Sequence, residues 1–398
     1  MKKTSRKLQI AVAERLGHLD ASAWDRVTRE GSVFVQRPFL RALERACPQN
    51  VAPRYALLFD GDRPMAALVM QLVHIEGRSA VKSGASTGGL FVQLFDERAL
   101  VLGNFAAWGE TGLVLEPTAT PAERELLWGE ALRLCDRLRR FEKLEGQINV
   151  SFVKDATADE DDAALLRAGY QRAPGGPDMV LHADPAWRGF DDYLASLASK
   201  RRRAVKKTLE DVAAAGYQVV SLDAAALERH AARLDALYGQ VWANADVRPL
   251  RLTGRFFVEL KHQLGDACAV TGLLKDGELD GFGVCLKSRE RGATSAVGYY
   301  LGFDKTKADA PLYLRLLISI LERGLGFGAR TISMGRTAEE PKARMGAVPA
   351  GKPLWVKHRT PPLNWAVGAL LQTLEAPQVE THEVFKRAQG PASAPPSV

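Results

Sequence analysis

The chain has 398 residues, of which 46% are hydrophobic and 25% are charged, and its formal charge is +7 at pH 7. This composition is typical of a soluble globular protein with two domains, and no stretch approaches the roughly 20 apolar residues of a membrane span. The start of the chain lacks the apolar region of a secretory signal, and the four cysteines and seven histidines lack metal-site spacing. We therefore expect a cytoplasmic protein without a metal, whose positive charge suits anionic partners.

The first half is predicted to begin with two helices between Ser22 and Arg45, where apolar residues recur at helical spacing. From Tyr55, apolar runs separated by turn signals predict a meander of about three strands. A helix, a strand and a closing strand are expected to follow at Thr120 to Arg140, Gln147 to Val153 and Met179 to His182. The polar stretch from Lys154 to Asp162 is predicted to lie on the surface.

The second half repeats this pattern. Four residues of the first meander have counterparts 216 positions later, namely Leu57, Leu58, Asp60 and Gly61, which match Leu273, Leu274, Asp276 and Gly277. A chance match between two Asp-Gly hairpins is the alternative, since such turns are frequent. The second helix and the two strands after it are predicted at Ala310 to Leu325, Arg330 to Met334 and Pro353 to His358.

The repeat predicts an α/β (α+β) fold with two tandem domains, each a mixed, mainly antiparallel sheet flanked by helices. We place the first domain at 1–187, the second at 188–362, and a C-terminal helix with a disordered tail at 363–398. The tail is rich in Pro, Ala and Ser.

A basic helix opens the second half. Phe190 to Gly216 carries apolar residues on one face, with a predicted break near Ser199, and six of the eight residues from Lys200 to Lys207 are cationic. Such a dense run favours a phosphate-binding face for a nucleotide, coenzyme A or RNA. A solvated helix face is the alternative of similar weight.

Three segments carry a resemblance to known proteins. They are FDDYLASLASKRRRAVKK from Phe190, VGYYLGFD with the helix LYLRLLISILERGLGFG, and SMGRTAEEPKARMGAVP from Ser333 to Pro349. FVQRPFLRALERACPQN near the N-terminus is more weakly similar. Together they resemble the FemAB-like and BioF-type acyltransferases, a branch of the GNAT superfamily with two GNAT folds in tandem.

The resemblance implies transfer of an acyl or aminoacyl group to an amine, by direct attack on a thioester or ester carbonyl. Donors would be acetyl-coenzyme A, another acyl-coenzyme A or aminoacyl-tRNA. The donor-binding residues it implies are Tyr299, Tyr300, Gly302, Lys305, Gly335, Arg336 and Lys342. Only Gly302 is a glycine in the expected coenzyme A loop, which is a departure from the GNAT pattern. A structural ion pair with Glu339 or Glu340 is the alternative role for Arg336 and Lys342.

We predict Tyr313 and Glu339 as catalytic residues, the first as a proton donor and the second as a base. Substrate-binding residues are predicted at Lys200, Arg203, Lys207, Trp242 and Arg248, although core packing explains Trp242 equally well. The first half lacks the Gly-Arg-Thr segment, so we expect no active site there.

The implied acceptor is a small-molecule or cell-envelope precursor amine, in peptidoglycan or polysaccharide metabolism. The expected partners are tRNA and, through peripheral contact, a membrane surface. Binding to DNA is not expected. The competing hypothesis is a non-catalytic GNAT-fold protein that binds an anionic ligand or RNA through its basic helix.

Overall fold

The computed structural model describes residues 8–76, 96–109, 112–142, 146–156, 159–245, 248–290, 292–307, 309–371 and 382–386. The helices of this part of the chain are α1 (Ala21–Thr28), α2 (Arg37–Arg45), α3 (Pro121–Phe141), α4 (Asp159–Arg167), α5 (Phe190–Ser196), α6 (Ser199–Ala214), α7 (Ala224–Arg229), α8 (Ala231–Trp242), α9 (Gly254–Leu264), α10 (Leu312–Gly326), α11 (Glu339–Ala343) and α12 (Pro361–Leu371). None of them combines the length and apolarity needed to cross a bilayer.

The strands form two sheets. They are β1 (Gln9–Ala13), β2 (Val51–Asp60), β3 (Arg63–Glu76), β4 (Asp96–Leu102), β5 (Leu113–Leu115), β6 (Ile148–Lys154), β7 (Gln171–Ala173), β8 (Asp178–His182), β9 (Gln218–Ser221), β10 (Cys268–Lys275), β11 (Glu278–Glu290), β12 (Ala293–Phe303), β13 (Thr331–Ser333), β14 (Val348–Ala350) and β15 (Leu354–His358). The first sheet has the order β1-β2-β3-β4-β6-β15-β7, with β5 beside β3, and the second has the order β14-β8-β13-β12-β11-β10-β9. Among the described strands, only the pairs β4–β6 and β12–β13 are parallel. The predicted fold class, two mixed and mainly antiparallel sheets flanked by helices, is confirmed.

Local signals account for most element bounds. Thr120 caps α3 through a reciprocal capping box with Glu123, and Pro121 occupies the first helical turn. The predicted break in the basic helix is confirmed, because Leu197 and Ala198 are extended between α5 and α6. In the β10–β11 hairpin the turn residues Asp276 and Gly277 both have positive φ, 52° and 80°, as a tight two-residue turn requires.

The two sheets exchange their closing strands. β8, from the first half, lies between β13 and β14 of the second sheet. β15, from the second half, lies between β6 and β7 of the first sheet. The expectation that each half closes its own sheet with Met179–His182 or Pro353–His358 is therefore wrong, although both segments are strands. The predicted domain boundary at residue 187 stays a prediction. Each sheet contains one strand from the other side of this boundary.

A common core joins the halves. Helix α2 packs against α9, and one buried cluster contains Trp24 and Phe34 of the first half together with Phe256 and Tyr299 of the second. The outer faces of the sheets have separate cores, formed with α3 on the first sheet and with α10 on the second. The inner faces of the two sheets therefore meet at a junction between the halves, and residues of both halves pack there. The predicted C-terminal helix is present as α12, and the predicted disordered tail lies outside the described residues.

Candidate functional site

The parallel strands β12 and β13 pair over a short distance only. Their register covers Ser295–Val297 of β12 and the three residues of β13. β12 then continues for six residues, Gly298–Phe303, which have no strand partner on that side within the described part of the chain. Backbone groups at such an edge can bind a ligand. This divergence is the centre of the candidate site.

The structure brings the two predicted catalytic residues together on the helix side of the divergence. Tyr313 lies in the first turn of α10 and its ring packs 5.8 Å from that of Phe303. Burial and then the negative charge of Glu339 raise the pKa of Tyr313 to about 12. The phenol therefore stays protonated at neutral pH, beside a carboxylate at the start of α11.

Lys342 fixes the loop that leads from β13 to α11. Its ammonium is buried and donates to three consecutive carbonyl oxygens, those of Gly335 at 2.9 Å, Arg336 at 3.0 Å and Thr337 at 2.6 Å. Three residues of this loop have positive φ, including Thr337 and Ala338, for which that conformation is unfavourable. Burial lowers the pKa of Lys342 to about 8. Within the described residues its ammonium bonds these carbonyls and forms no ion pair with Glu339 or Glu340, and its predicted donor contact stays a prediction.

Arg336 forms an ion pair with Asp155 of the first half, and this partner differs from the expected Glu339 or Glu340. Asp155 is fully buried and also accepts from Lys154 Nζ at 2.8 Å and from the backbone N–H of Gly109 at 2.9 Å. Burial would raise the pKa of Asp155, but Lys154 and Arg336 hold it below its ordinary value. The predicted surface position of Lys154–Asp162 is therefore wrong at its start, where a charge cluster ties the two halves together.

A cavity of about 460 Å³ lies on the other side of the divergence, between the inner face of the second sheet and the first half. We call it the junction cavity. Its floor consists of alternate residues of four neighbouring strands, among them Asp178, Ser288, Ser295 and Ser333. Trp108 and Gly109 of the first half and Lys352 form part of its wall. The floor is polar because these positions face the junction, whereas the intervening positions face α10.

Ser333 connects the junction cavity to the divergence. Its hydroxyl accepts from Trp108 Nε1 at 2.8 Å and from the N–H of Gly335 at 3.3 Å, and it donates to Asp178 Oδ1 at 2.7 Å. The Trp108 ring lies next to Gly335 and stacks on Tyr299, with centroids 5.5 Å apart. The first half thus contributes an aromatic wall to the site.

Three predicted donor-binding residues have other roles in the structure. Tyr299 is buried and its hydroxyl donates to the carbonyl of Ala106 at 2.5 Å, so it serves the shared core. Tyr300 packs on Tyr238, with ring centroids 5.4 Å apart. A Cβ on Gly302 would lie 2.6 Å from the backbone nitrogen of Tyr238, so this glycine permits close approach of α8. These observed contacts serve packing, and the donor contacts predicted for Tyr299, Tyr300 and Gly302 stay predictions.

The loop after β12 contains its own ion pairs. Asp304 accepts from Thr306 and from Arg233, and these contacts lower its pKa to about 2. Asp309 pairs with Lys275 at 2.7 Å. The backbone N–H of Lys305 donates to Gln240 Oε1 at 3.0 Å, and its side chain is exposed. This loop is acidic as well as basic, and it offers carboxylates where the resemblance predicts phosphate contacts.

The predicted substrate-binding residues lie away from the divergence. Lys200, Arg203 and Lys207 are exposed on α6, whose opposite face packs on α10 through residues such as Val205. Trp242 and Arg248 form a cation–π contact at 5.2 Å. They line a separate cavity of about 160 Å³ together with Asn50 and His74. The predicted sites are therefore three separate places on the molecule.

Sequence reasoning missed Asp155, Asp178, Ser333 and Trp108. Asp155 and Asp178 stand at the end of one strand and the start of another, where ligand-binding residues are often found in α/β sheets, and this signal could have found them. Among the described residues, no group of three His, Cys, Asp or Glu side chains is arranged to hold a metal ion.

Comparison with family models identifies one match. Residues 128–295 match the FemAB-like family, described as peptidoglycan biosynthesis/recognition. The matched segment covers less than half of the chain. It contains α6 and excludes the Gly-Arg-Thr segment. The match confirms the resemblance to FemAB-like proteins and supports a transferase as the class of protein. No curated protein matches the chain.

Solved structures share the architecture at low identity. The crystal structure of FemX is 10% identical with a TM-score of 0.55, over 88% of this chain and 99% of that chain. A tandem GNAT protein from the clavulanic acid biosynthesis pathway is 14% identical with a TM-score of 0.49, over 89% and 99%. L-PGS from Bacillus licheniformis is 13% identical with a TM-score of 0.46, over 84% and 96%. At these identities the likeness concerns the fold alone. The structure of FemX, whose TM-score is 0.55, supports the fold described above.

Proposed function

We propose that the protein transfers an acyl or aminoacyl group to a primary amine where β12 and β13 diverge. One arrangement carries this proposal. A protonated tyrosine beside a carboxylate lies on the helix side of the second sheet, and a polar cavity lies on the other side. A donor along Gly298–Phe303 and an amine in the junction cavity would approach the divergence from opposite faces. Holding two reactants in this way lowers the entropic cost of their reaction.

The chemistry needs few groups. The neutral amine attacks the carbonyl carbon, a C–N bond forms, and the C–O or C–S bond to the carrier breaks as the amine loses a proton. The Tyr313 phenol is the proposed proton donor to the departing oxygen or sulfur, because its pKa of about 12 keeps it protonated. Glu339 is the proposed base that takes the proton from the amine and returns it to Tyr313.

Tyr313→Phe tests this role. We expect kcat to fall by roughly 100-fold, since a positioned acid contributes about 10²–10⁴-fold. The unfolding temperature should change little, because phenylalanine keeps the contact with Phe303. The measurement is transfer from labelled acyl-coenzyme A or aminoacyl-tRNA to L-lysine and to a peptidoglycan-type stem peptide. Tyr170→Phe, on the first sheet, is the matched control. Unchanged kcat would remove Tyr313 from the mechanism, and no transfer with any pair would favour the non-catalytic alternative.

Aminoacyl-tRNA is the donor that the charges favour. The loop after β12, where GNAT proteins hold the pyrophosphate of coenzyme A, carries Asp304 and Asp309. Because Arg233 and Lys275 are paired with these carboxylates, they are less available to a pyrophosphate than the exposed cations of α6. The exposed cations of α6 supply a surface for an RNA backbone instead, with Lys200 and Arg203 free of carboxylates within 4 Å in the described part of the chain.

The triple variant Lys200→Gln, Arg203→Gln, Lys207→Gln tests the donor. We expect weaker tRNA binding and a salt dependence, d log K/d log[salt], that is shallower by about 2–3, because each lost phosphate contact removes roughly 0.7–0.9. Fluorescence anisotropy between 50 and 200 mM salt, about the range in which such contacts weaken, gives both quantities. The control replaces Arg133, Arg137 and Arg140, which are exposed on α3. An equal effect in both variants would indicate non-specific attraction and contradict the assignment.

A further inference from the structure

The junction cavity contains a carboxylate that has no role in the proposed transfer reaction. Asp178, at the start of β8, lines the cavity floor, and Lys352 lines its wall. We infer that this cavity binds an amine that also carries an anionic group, with Asp178 pairing with the ammonium and Lys352 with the anion. The inference rests on the proposed function in that it names the class of acceptor.

Asp178 is oriented by a chain of hydrogen bonds. Because the Ser333 oxygen accepts from Trp108 Nε1 at 2.8 Å, its own hydrogen points to Asp178 Oδ1 at 2.7 Å. The second oxygen, Oδ2, has no hydrogen-bond donor in the part of the chain that the structure describes. This oxygen is therefore open to a ligand ammonium, with which it would form a charge-assisted hydrogen bond.

The surroundings of Asp178 favour the binding of a ligand cation by its carboxylate. Burial raises its pKa, although Ser333 and the charges of Arg336, Lys342 and Lys352 act in the other direction. Arg336 and Lys342 are committed to Asp155 and to the loop carbonyls. Since burial outweighs these charges and the pKa of Asp178 remains raised, its ionised form would gain more from a ligand cation than an exposed carboxylate does.

Lys352 is a cation of this wall that is available to a ligand. Asp178 pairs with Ala350 of β14, so Lys352 follows two residues beyond the point of pairing. Its ammonium lies 3.8 Å from the position that a Cβ on Gly109 would take, and it has no carboxylate within 4 Å among the described residues. It can therefore pair with an anionic group of the ligand.

The remaining charges of the cavity have both signs and favour a ligand with both signs over a polyanion. The lining contains three further carboxylates and two guanidinium groups, namely Glu30, Asp162, Glu290, Arg172 and Arg289. Of these, Arg172 and Asp162 pair with each other at 3.7 Å. A nucleic acid backbone would meet several of the carboxylates, whereas an amino acid-like group would not.

Three small probes test the site, and NMR titration measures their binding. They are 6-aminohexanoate, 1,5-diaminopentane and hexanoate, which carry both groups, the amine without an anion, and the anion alone. We expect 6-aminohexanoate to bind the wild type most tightly. Asp178→Asn should weaken both amines by about tenfold and leave hexanoate unchanged, as expected for a charge-assisted contact. Lys352→Gln should weaken 6-aminohexanoate and hexanoate and spare the diamine.

The control variant is Asp184→Asn, which removes an exposed carboxylate outside the cavity and should leave all three affinities unchanged. Failure of every probe to bind the wild type, or diamine binding that Asp178→Asn does not weaken, would overturn the inference. Thermal unfolding separates a binding role from a structural one. Folding raises the pKa of Asp178, so its ionised form costs stability at neutral pH, and Asp178→Asn should keep or raise the unfolding temperature. A lowered temperature would indicate a structural carboxylate.

The outcomes of the two proposals are distinguishable. Amine binding that depends on Asp178, in a protein without transfer activity, would keep this site and reject the transferase. Transfer in the Asp178→Asn variant with an unchanged KM for the amine would reject this site and keep the transferase.

Discussion

Replacing Asp155 with alanine is expected to lower the free energy of unfolding by about 3–5 kcal/mol. Asp155 is buried between the halves and pairs with Lys154, whose ammonium is also buried, and with Arg336. Removal of the carboxylate leaves two cations close together without a counter-charge in a place that water reaches poorly. This is the largest single loss that we expect in the molecule.

Urea unfolding at neutral pH measures this effect. The matched control is Asp211→Ala, which removes an exposed partner of Lys207 at 2.9 Å and should cost less than about 1 kcal/mol. The sign of the pH dependence follows from the lowered pKa of Asp155. Its contribution is present above the unfolded pKa of about 3.9 and is lost as the pH falls below that value. The gap between wild type and variant should therefore shrink in acid. A loss below about 1 kcal/mol at neutral pH would contradict the assigned role.

Lys342→Met is expected to cost about 2–4 kcal/mol, because one buried and two part-buried carbonyl contacts lose an ionic donor. Methionine fills a similar volume, so the change removes the hydrogen bonds with little change in packing. The loop from Gly335 to Ala338 contains strained backbone that these bonds hold in place. Since Glu339 follows directly, we expect transfer activity to fall together with stability.

The comparison that isolates this effect is Arg344→Met. Arg344 is exposed, lies two residues further along the chain and pairs with Glu340 at 2.7 Å. Both variants should be followed by urea unfolding and by donor affinity. A Lys342→Met protein with wild-type stability and weak donor binding would restore Lys342 as the donor-binding residue that the sequence predicted.

The sequence alone determined the elements of each half. Turn chemistry identified the hairpin at Asp276-Gly277, the Thr120-Pro121 pair identified the start of α3, and the repeat of 216 residues identified two related halves. These features depend on groups that are near each other in the chain, and periodicity or backbone preference reports them directly.

The tertiary structure alone decided which strand closes which sheet and which charges are buried. Met179–His182 and Leu354–His358 are short strands that either sheet could accept, so the pattern within each segment cannot select a partner. The sequence predicts Lys154 and Asp155 at the surface, because charged residues are usually solvated unless a further counter-charge is buried with them. That counter-charge is Arg336, which lies 181 residues away from Asp155. The junction cavity likewise exists only between segments that are distant in the chain. Local sequence encodes local conformation, and contacts between distant segments are settled by which surfaces can bury their polar groups in pairs.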